Sequence, residues 1–123
     1  MRGGASSNAR VTCPFCSPDP ARVLHEGPLV LALYDAFPVS AGHALIVPRR
    51  HVATWFDATL DEHAAMLAAI PIVRDAIERE HRPDGYNLGV NVGAAAGQTV
   101  FHLHLHILAG KHISPELLVS KLQ

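Results

Sequence analysis

The sequence predicts an α+β domain: an antiparallel β-sheet with one main helix and a short C-terminal helix. Two observations carry this prediction. Short apolar runs lie on both sides of a single long Ala-rich segment, which gives strands, a helix and strands again. The chain has 123 residues, the length of one domain. We expect a disordered tail over 1–10, which is small, polar and glycine-rich, and a single domain over 11–123.

The first two predicted strands lie before the helix. The apolar run 29–34 ends at Asp35, and the run 43–47 is followed by Pro48. Because only a short loop separates the runs, we expect them to form an antiparallel pair.

The main helix is predicted from Thr59 to about His81. Thr59 and Glu62 have the spacing of a capping box, with Thr59 as the N-cap. Pro71 lies inside the helical pattern, where we expect it to kink or split the helix. The predicted apolar stripe consists of Leu60, Ala64, Leu67, Ile70, Val73 and Ile77.

Two more strands and a second helix are predicted after the main helix. The strands cover 86–92 and 100–108, and a loop of small residues over 93–97 joins them. Ser114 and Pro115 are the cap and first residue expected of a short C-terminal helix.

Charge and hydropathy exclude several classes of partner. Ten Lys and Arg residues against eleven Asp and Glu give a net charge of −1, so there is no electrostatic case for binding duplex DNA or anionic membranes. No apolar run approaches the ~20 residues of a membrane span, and the N-terminus has no apolar signal core. We therefore expect a cytoplasmic protein that binds neither nucleic acid nor membranes.

Three of the nine histidines alternate with apolar residues, which is the strongest chemical signal in the chain. His102, His104 and His106 would lie on one face of a strand, ~6.5–7 Å apart, with the apolar residues on the other face. A neutral imidazole, with a pKa of ~6.5, is a competent nucleophile near neutral pH. Two other interpretations are a half-exposed strand whose polar face happens to be histidine, and a metal site that uses two adjacent members. The apolar face would hold Phe101, Leu103, Leu105 and Ile107.

The pattern resembles the histidine triad family of nucleotide hydrolases and transferases, over residues 13–109. Further positions match the family in order: Asp35, Gly42-His43, Pro48-Arg49-Arg50-His51, Asn91 and Gly97-Gln98-Thr99-Val100. The sole tryptophan is Trp55, so the Trp-bearing C-terminal loop of the family's phosphoramidase branch is absent and the leaving-group preference stays open.

The resemblance implies a hydrolase that cleaves nucleoside 5′-phosphate derivatives at the α-phosphorus. The substrate would be of the adenosine phosphoramidate or dinucleoside polyphosphate type, and a nucleoside monophosphate would be released. His104 would form a covalent nucleotidyl-histidine, His106 would assist proton transfer, and His43 would contact the site from the neighbouring strand. The alternatives are a nucleotidyltransferase or phosphorylase with the same intermediate, and a nucleotide-binding regulatory module. The resemblance also implies a homodimer.

The resemblance also implies a set of substrate-binding residues. Asp35 would accept the ribose hydroxyls, and Phe15 and Leu33 would line a slot for the base. The phosphate would be held by Asn91, Gly97, Gln98 and Thr99. Without the resemblance, Asp35 is equally explained as a turn former at a strand end, and 93–97 as an ordinary hairpin loop.

Cys13 and Cys16 form a Cys-x-x-Cys pair before two prolines. A redox motif would sit after a strand and open a helix, which this pair does not. A subset of histidine triad proteins has a similar pair, and the resemblance implies a structural Zn²⁺ held by Cys13, Cys16, His51 and His102. The remaining interpretation is two free thiols without a metal.

Overall fold

The computed structural model describes residues 13–36, 38 and 42–110. The predicted tail over 1–10, the domain boundary at residue 11 and the helix expected from Ser114 lie outside them. The described elements are β1 (Val23–Glu26), β2 (Val30–Tyr34), β3 (Ala44–Pro48), α1 (Leu60–His81), β4 (Gly85–Gly89) and β5 (Leu105–Gly110).

The five strands form one antiparallel sheet in the order β1-β2-β3-β5-β4, so the predicted α+β class is confirmed. The predicted pairing of β2 with β3 is also confirmed, with Val30 opposite Pro48 and Tyr34 opposite Ala44. Strand β1 was not predicted. The signal for it was the Gly27-Pro28 turn, which joins β1 to β2 as a hairpin.

The two faces of the sheet are covered by different parts of the chain. Helix α1 packs on one face, where its side chains meet alternate strand residues such as Ala32, Ile46 and Ile107. The short segment with Cys13 and Phe15 packs on the other face, against Leu31, Leu33, Leu45 and Val47. Because the central strands are buried on both faces, they consist of unbroken apolar runs rather than alternating ones.

The capping box at the start of α1 is confirmed. The Glu62 backbone N–H donates to Thr59 Oγ1, and the Thr59 backbone N–H donates to Glu62 Oε1. Glu62 is buried and also accepts two hydrogen bonds from the Arg50 guanidinium, at 2.9 and 3.0 Å. The Arg50 guanidinium holds the pKa of Glu62 at about 2. The helix start is thereby tied to the segment that follows β3.

The predicted apolar stripe of α1 is partly wrong. Val73 and Ile77 are buried and Ile70 is partly buried against the core, whereas Leu60 and Leu67 are 83% and 52% exposed. The Ala-rich helix carries apolar residues on more than one side, so periodicity alone did not identify the packed side. The buried face consists of Glu62, Met66, Ala69, Val73 and Ile77.

Helix α1 continues through Pro71, so the predicted split is wrong. Pro71 leaves the carbonyl of Leu67 without its helical donor. Both residues lie on the exposed side of the helix, where water can satisfy that carbonyl.

Strand β5 begins at Leu105, five residues later than the predicted start at Val100, and ends at Gly110. The preceding segment is held by loop contacts instead of a neighbouring strand. The Leu103 N–H donates to the Val52 carbonyl, and the Gln98 amide donates to the Val100 carbonyl. Among the described residues, no helix is long and apolar enough to cross a membrane.

Candidate functional site

The three alternating histidines are all buried and lie on the sheet face opposite α1. Their exposed fractions are 0% for His102, 4% for His104 and 1% for His106. Phe15 contacts the rings of His102 and His104, and His106 is opposite Leu45 in the register of β3 and β5. The predicted apolar face is confirmed for Leu103, Leu105 and Ile107, which pack with α1. Phe101, outside the strand, is 49% exposed instead.

His102 lies at one end of this histidine row, in a group of four metal-ligating side chains. One ligand atom each from Cys13, Cys16, His51 and His102 lies within 4.8 Å of the other three. His102 Nδ1 is 3.3 Å from Cys13 Sγ, 3.5 Å from Cys16 Sγ and 3.2 Å from His51 Nδ1. Cys16 Sγ is 3.1 Å from His51 Nδ1. The four residues predicted as metal ligands are thus brought together.

This group fits a tetrahedral metal ion. With metal–nitrogen bonds of about 2.0–2.1 Å and metal–sulfur bonds of about 2.3 Å, such a site separates its ligand atoms by about 3.3–3.8 Å. His102 Nε2–H donates to the Pro48 carbonyl at 2.8 Å, so Nδ1 is the nitrogen without a proton. Burial lowers the pKa of His102, which favours the neutral ring that a metal requires. These four residues can therefore bind a metal ion.

His104 occupies the middle of the row, and its ring is oriented by the backbone carbonyl of His102. Its Nδ1–H donates to the His102 carbonyl at 2.7 Å. A carbonyl oxygen only accepts, so the proton is on Nδ1 and the lone pair of neutral His104 is on Nε2. The edge of Phe15 packs against the ring at a centroid distance of 5.0 Å. His104 therefore offers one defined nitrogen as a nucleophile.

His106 lies at the other end of the row and contacts His43. His43 Nε2 is 3.1 Å from His106 Nδ1, and His43 Nδ1 is 3.4 Å from Asp35 Oδ2. Both histidines are buried, and burial lowers the pKa of His43 against the opposing effect of Asp35. His43 lies directly before β3 and contacts His106, the last member of the row. The contact between Asp35 and His43 was not predicted.

Gln98 has a position that differs from the one expected of a phosphate ligand. Its side chain is buried, its Oε1 accepts from the Gly93 N–H, and its Nε2 donates to the carbonyls of Ala53 and Val100. These bonds tie the loop before the histidines to the segment after β3. Gly97, also in this loop, has a φ of 98°, which explains glycine at that position.

The remaining predicted substrate residues lie around the row in different settings. Asn91 lies two residues after β4, whose last residue, Gly89, is opposite His106. Thr99 is exposed, between the loop and the first histidine. Phe15 is in contact with two of the histidines, whereas Leu33 is fully buried under the segment that contains Cys13.

One component of the site had no signal in the sequence. The Pro48 carbonyl fixes the tautomer of His102, whereas the sequence indicates for Pro48 only a strand end and a position in the Pro48-Arg49-Arg50-His51 motif. A backbone carbonyl is present at every residue, so its role is visible only when the fold places it.

Comparisons with known proteins agree with this geometry. Residues 17–113 match the HIT domain. The chain is 38% identical over 110 residues to an adenylylsulfatase of Arabidopsis thaliana, covering 86% of this chain and only 56% of that protein. A HIT family protein of Bacillus anthracis has a similar structure, with a TM-score of 0.75 and 34% identity over 82% of this chain and 74% of that one.

A Zn-bound histidine triad family protein of Mycobacterium smegmatis is also similar. Its TM-score is 0.74 and its identity 31%, over 88% of this chain and 81% of that chain. The domain match, these similarities and the buried histidine row together show that the chain belongs to the HIT, or histidine triad, family.

Proposed function

We propose that this protein is a hydrolase of nucleoside 5′-phosphate derivatives that acts through a nucleotidyl group on His104. The observation that supports the proposal most is the bond from His104 Nδ1–H to the His102 carbonyl, which puts the lone pair on Nε2. A nucleophile with a fixed orientation does not have to reorganise before attack, which lowers the barrier.

The proposed reaction has two steps. In the first, His104 Nε2 attacks the α-phosphorus, an N–P bond forms, and the bond from phosphorus to the leaving group breaks. His106 enters this step as the imidazolium, gives its Nε2 proton to a basic leaving group and becomes neutral. In the second step a water oxygen attacks phosphorus, the N–P bond breaks, and neutral His106 takes the proton of the water on Nε2, which restores the imidazolium. The product is a nucleoside monophosphate.

We assign phosphate contacts to Asn91, Thr99 and the backbone near Gly97, and a ribose contact to Asp35. We assign no phosphate contact to the Gln98 side chain, because its amide already forms hydrogen bonds with three backbone groups. Phe15 keeps its proposed role of lining the slot for the base. Leu33 is fully buried and contributes only through packing. Adenosine is the proposed nucleoside, which agrees with the adenylylsulfatase among the relatives.

The proposed metal is Zn²⁺, held by Cys13, Cys16, His51 and His102. Two thiolates and two imidazoles are a common ligand set for structural zinc, and four protein ligands leave no open position for substrate. Bound zinc would link the segment with Phe15 to the backbone carbonyl that orients His104. Cys13 and Cys16 are not joined in a disulfide, which fits the reducing cytoplasm that we propose as the location. We also propose a homodimer, which size-exclusion chromatography with multi-angle light scattering tests.

The proposed function is tested by AMP release from three adenosine compounds. Adenosine 5′-phosphosulfate, adenosine 5′-phosphoramidate and a diadenosine polyphosphate differ only in the leaving group. We expect AMP from at least one of them in the absence of inorganic phosphate, with activity lost in His104→Ala and kept in the control His25→Ala. Turnover that requires phosphate and yields ADP would instead indicate a phosphorylase. AMP binding without any turnover would indicate a binding module.

A further inference from the structure

Asp35, His43 and His106 form a continuous chain of polar contacts that leads from the sheet end to the reacting site. Asp35 Oδ2 is 3.4 Å from His43 Nδ1, and His43 Nε2 is 3.1 Å from His106 Nδ1. The backbone N–H of Asp35 also donates to the His43 carbonyl at 2.9 Å. This bond continues the β2–β3 ladder and fixes the two residues relative to each other.

We propose that Asp35 is a positioning residue that, through His43, determines which nitrogen of His106 carries the proton. Only the catalytic consequence of this inference rests on the proposed function, because the protons occupy the same positions whether or not the protein turns over a substrate. It gives Asp35 a role besides the proposed ribose contact.

The positions of the protons follow from the partners in the chain. A carboxylate only accepts hydrogen bonds, so His43 Nδ1 carries the proton that faces Asp35. His43 is 1% exposed, and a second proton would leave a buried cation. Neutral His43 therefore has its lone pair on Nε2, which must accept from His106 Nδ1–H. The lone pair of neutral His106 is then on Nε2.

This tautomer suits the role proposed for His106. With Nδ1–H held by His43, Nε2 is the nitrogen that gains a proton from the attacking water and gives one to the leaving group. The negative charge of Asp35 stabilises the imidazolium formed in between, as the carboxylate does in an Asp-His pair. Without the carboxylate, His43 can turn its proton to Nε2 and donate to His106 Nδ1. The proton of neutral His106 then moves to Nε2, and that nitrogen can no longer act as a base.

The test compares Asp35→Asn with the matched control Asp75→Asn, which removes the same charge from an exposed position on α1. Histidine side-chain ¹⁵N NMR of the full chain reports the tautomer of His106 without any substrate. We expect the Nδ1-protonated form in the wild type and in Asp75→Asn, and a mixture with the Nε2-protonated form in Asp35→Asn. An unchanged His106 tautomer in Asp35→Asn would overturn the proposal.

A kinetic arm separates positioning from ribose binding. With the adenosine substrate that turns over best, we expect Asp35→Asn to lower kcat about 10-fold or more. The same loss should appear with the 2′,3′-dideoxy form of that substrate, which has no ribose hydroxyls to bind. A loss that disappears with the dideoxy substrate would assign Asp35 to the ribose alone and overturn the positioning role.

A second variant tests the proposal independently if Asp35→Asn fails to fold. His43→Phe keeps the ring volume and removes both nitrogens from the chain of contacts. We expect it to change the His106 tautomer as Asp35→Asn does, and a wild-type His106 tautomer in His43→Phe would contradict the proposal. Because the NMR result needs no turnover, it stands even if the proposed hydrolase activity fails.

Discussion

The two ends of the histidine row place the same residue type in two different environments. His102 has its proton on Nε2, donated to the Pro48 carbonyl, and directs Nδ1 to two thiols and His51. His106 Nδ1 contacts His43 Nε2, and His43 Nδ1 in turn lies near the Asp35 carboxylate. Both rings are buried on the same face of the sheet. The neighbours that the fold places beside each ring differ, and they suit His102 to the proposed role of metal ligand and His106 to the proposed role of acid–base group.

The largest effect is expected at the middle of the row. His104→Ala should lower kcat by about 10³-fold or more, because it removes the nitrogen that bonds to phosphorus. Metal content and AMP binding should stay close to the wild type and the domain should remain folded, since His104 is not among the four metal-ligating residues. Steady-state kinetics, metal analysis and calorimetry check these outcomes. Near-normal turnover would show that His104 is not the nucleophile.

The next largest effect is expected at His106, the end of the row with the proposed acid–base role. His106→Ala should reduce kcat by about 10²-fold, within the range of general acid–base catalysis. A substrate with a less basic leaving group, such as sulfate in place of an amine, should lose less. An equal loss for all leaving groups would contradict a role in protonating them. Single-turnover kinetics with each substrate provide the measurement.

The metal end should affect stability rather than chemistry directly. The wild type should contain about one Zn²⁺ per chain, and Cys13→Ser should lose the metal and melt at least about 5 °C lower, since metal binding stabilises the folded chain. The control is Ser17→Ala, which lies in the same exposed loop without belonging to the ligand group. Metal-free wild type with the melting temperature of the metal-loaded protein would refute a structural metal.

The smallest effect is expected for the ion pair between Glu62, at the start of α1, and Arg50, which is next to the metal-ligating His51. Arg50 precedes His51, and it holds the pKa of Glu62 at about 2, below an ordinary value of 4.5. A depressed pKa contributes stability above pH ~4.5 that is lost as the pH falls toward ~2. Glu62→Gln should therefore cost on the order of 2 kcal/mol at neutral pH, a figure reduced because Arg50 is half exposed.

The pH dependence provides the control for this prediction. The stability difference between wild type and Glu62→Gln, measured by denaturant unfolding, should shrink below pH ~4.5 and vanish near pH 2. Asp61→Asn removes an exposed acid from the same helical turn and should change stability by less than about 0.5 kcal/mol. A difference for Glu62→Gln that persists unchanged at pH 2 would mean that the ion pair is not its source.

The sequence alone was sufficient for the fold class, whereas the metal-ligating group required the family resemblance. Alternation at Leu103, Leu105 and Ile107 predicts a two-faced strand, and Thr59 with Glu62 predicts the helix start, because both signals are local. The metal group was predicted by resemblance, since His51 and His102 come together only through the pairing of distant segments. The exposure of Leu60 and Leu67 was missed because an Ala-rich helix offers more than one apolar side.

The proton positions in the site lay beyond sequence reasoning for a different reason. They depend on which acceptor faces each imidazole: the Pro48 carbonyl at His102, the His102 carbonyl at His104 and, in our proposal, His43 at His106. Two of these acceptors are backbone atoms, which carry no signature in the sequence. Gln98 is similar, because its amide suits a phosphate until the fold shows that it bonds three backbone groups.

The division of roles along the histidine row is tested most directly by locating the covalent nucleotidyl group. The reaction with an adenosine substrate is quenched at base-stable pH, and the peptide that contains all three histidines is fragmented in the mass spectrometer. We predict an adenylyl group on His104 in the wild type, the same position in His106→Ala, and none in His104→Ala. An adenylyl group on His102 or His106, or its persistence in His104→Ala, would contradict the assignment of a metal ligand, a nucleophile and an acid–base group to the three positions.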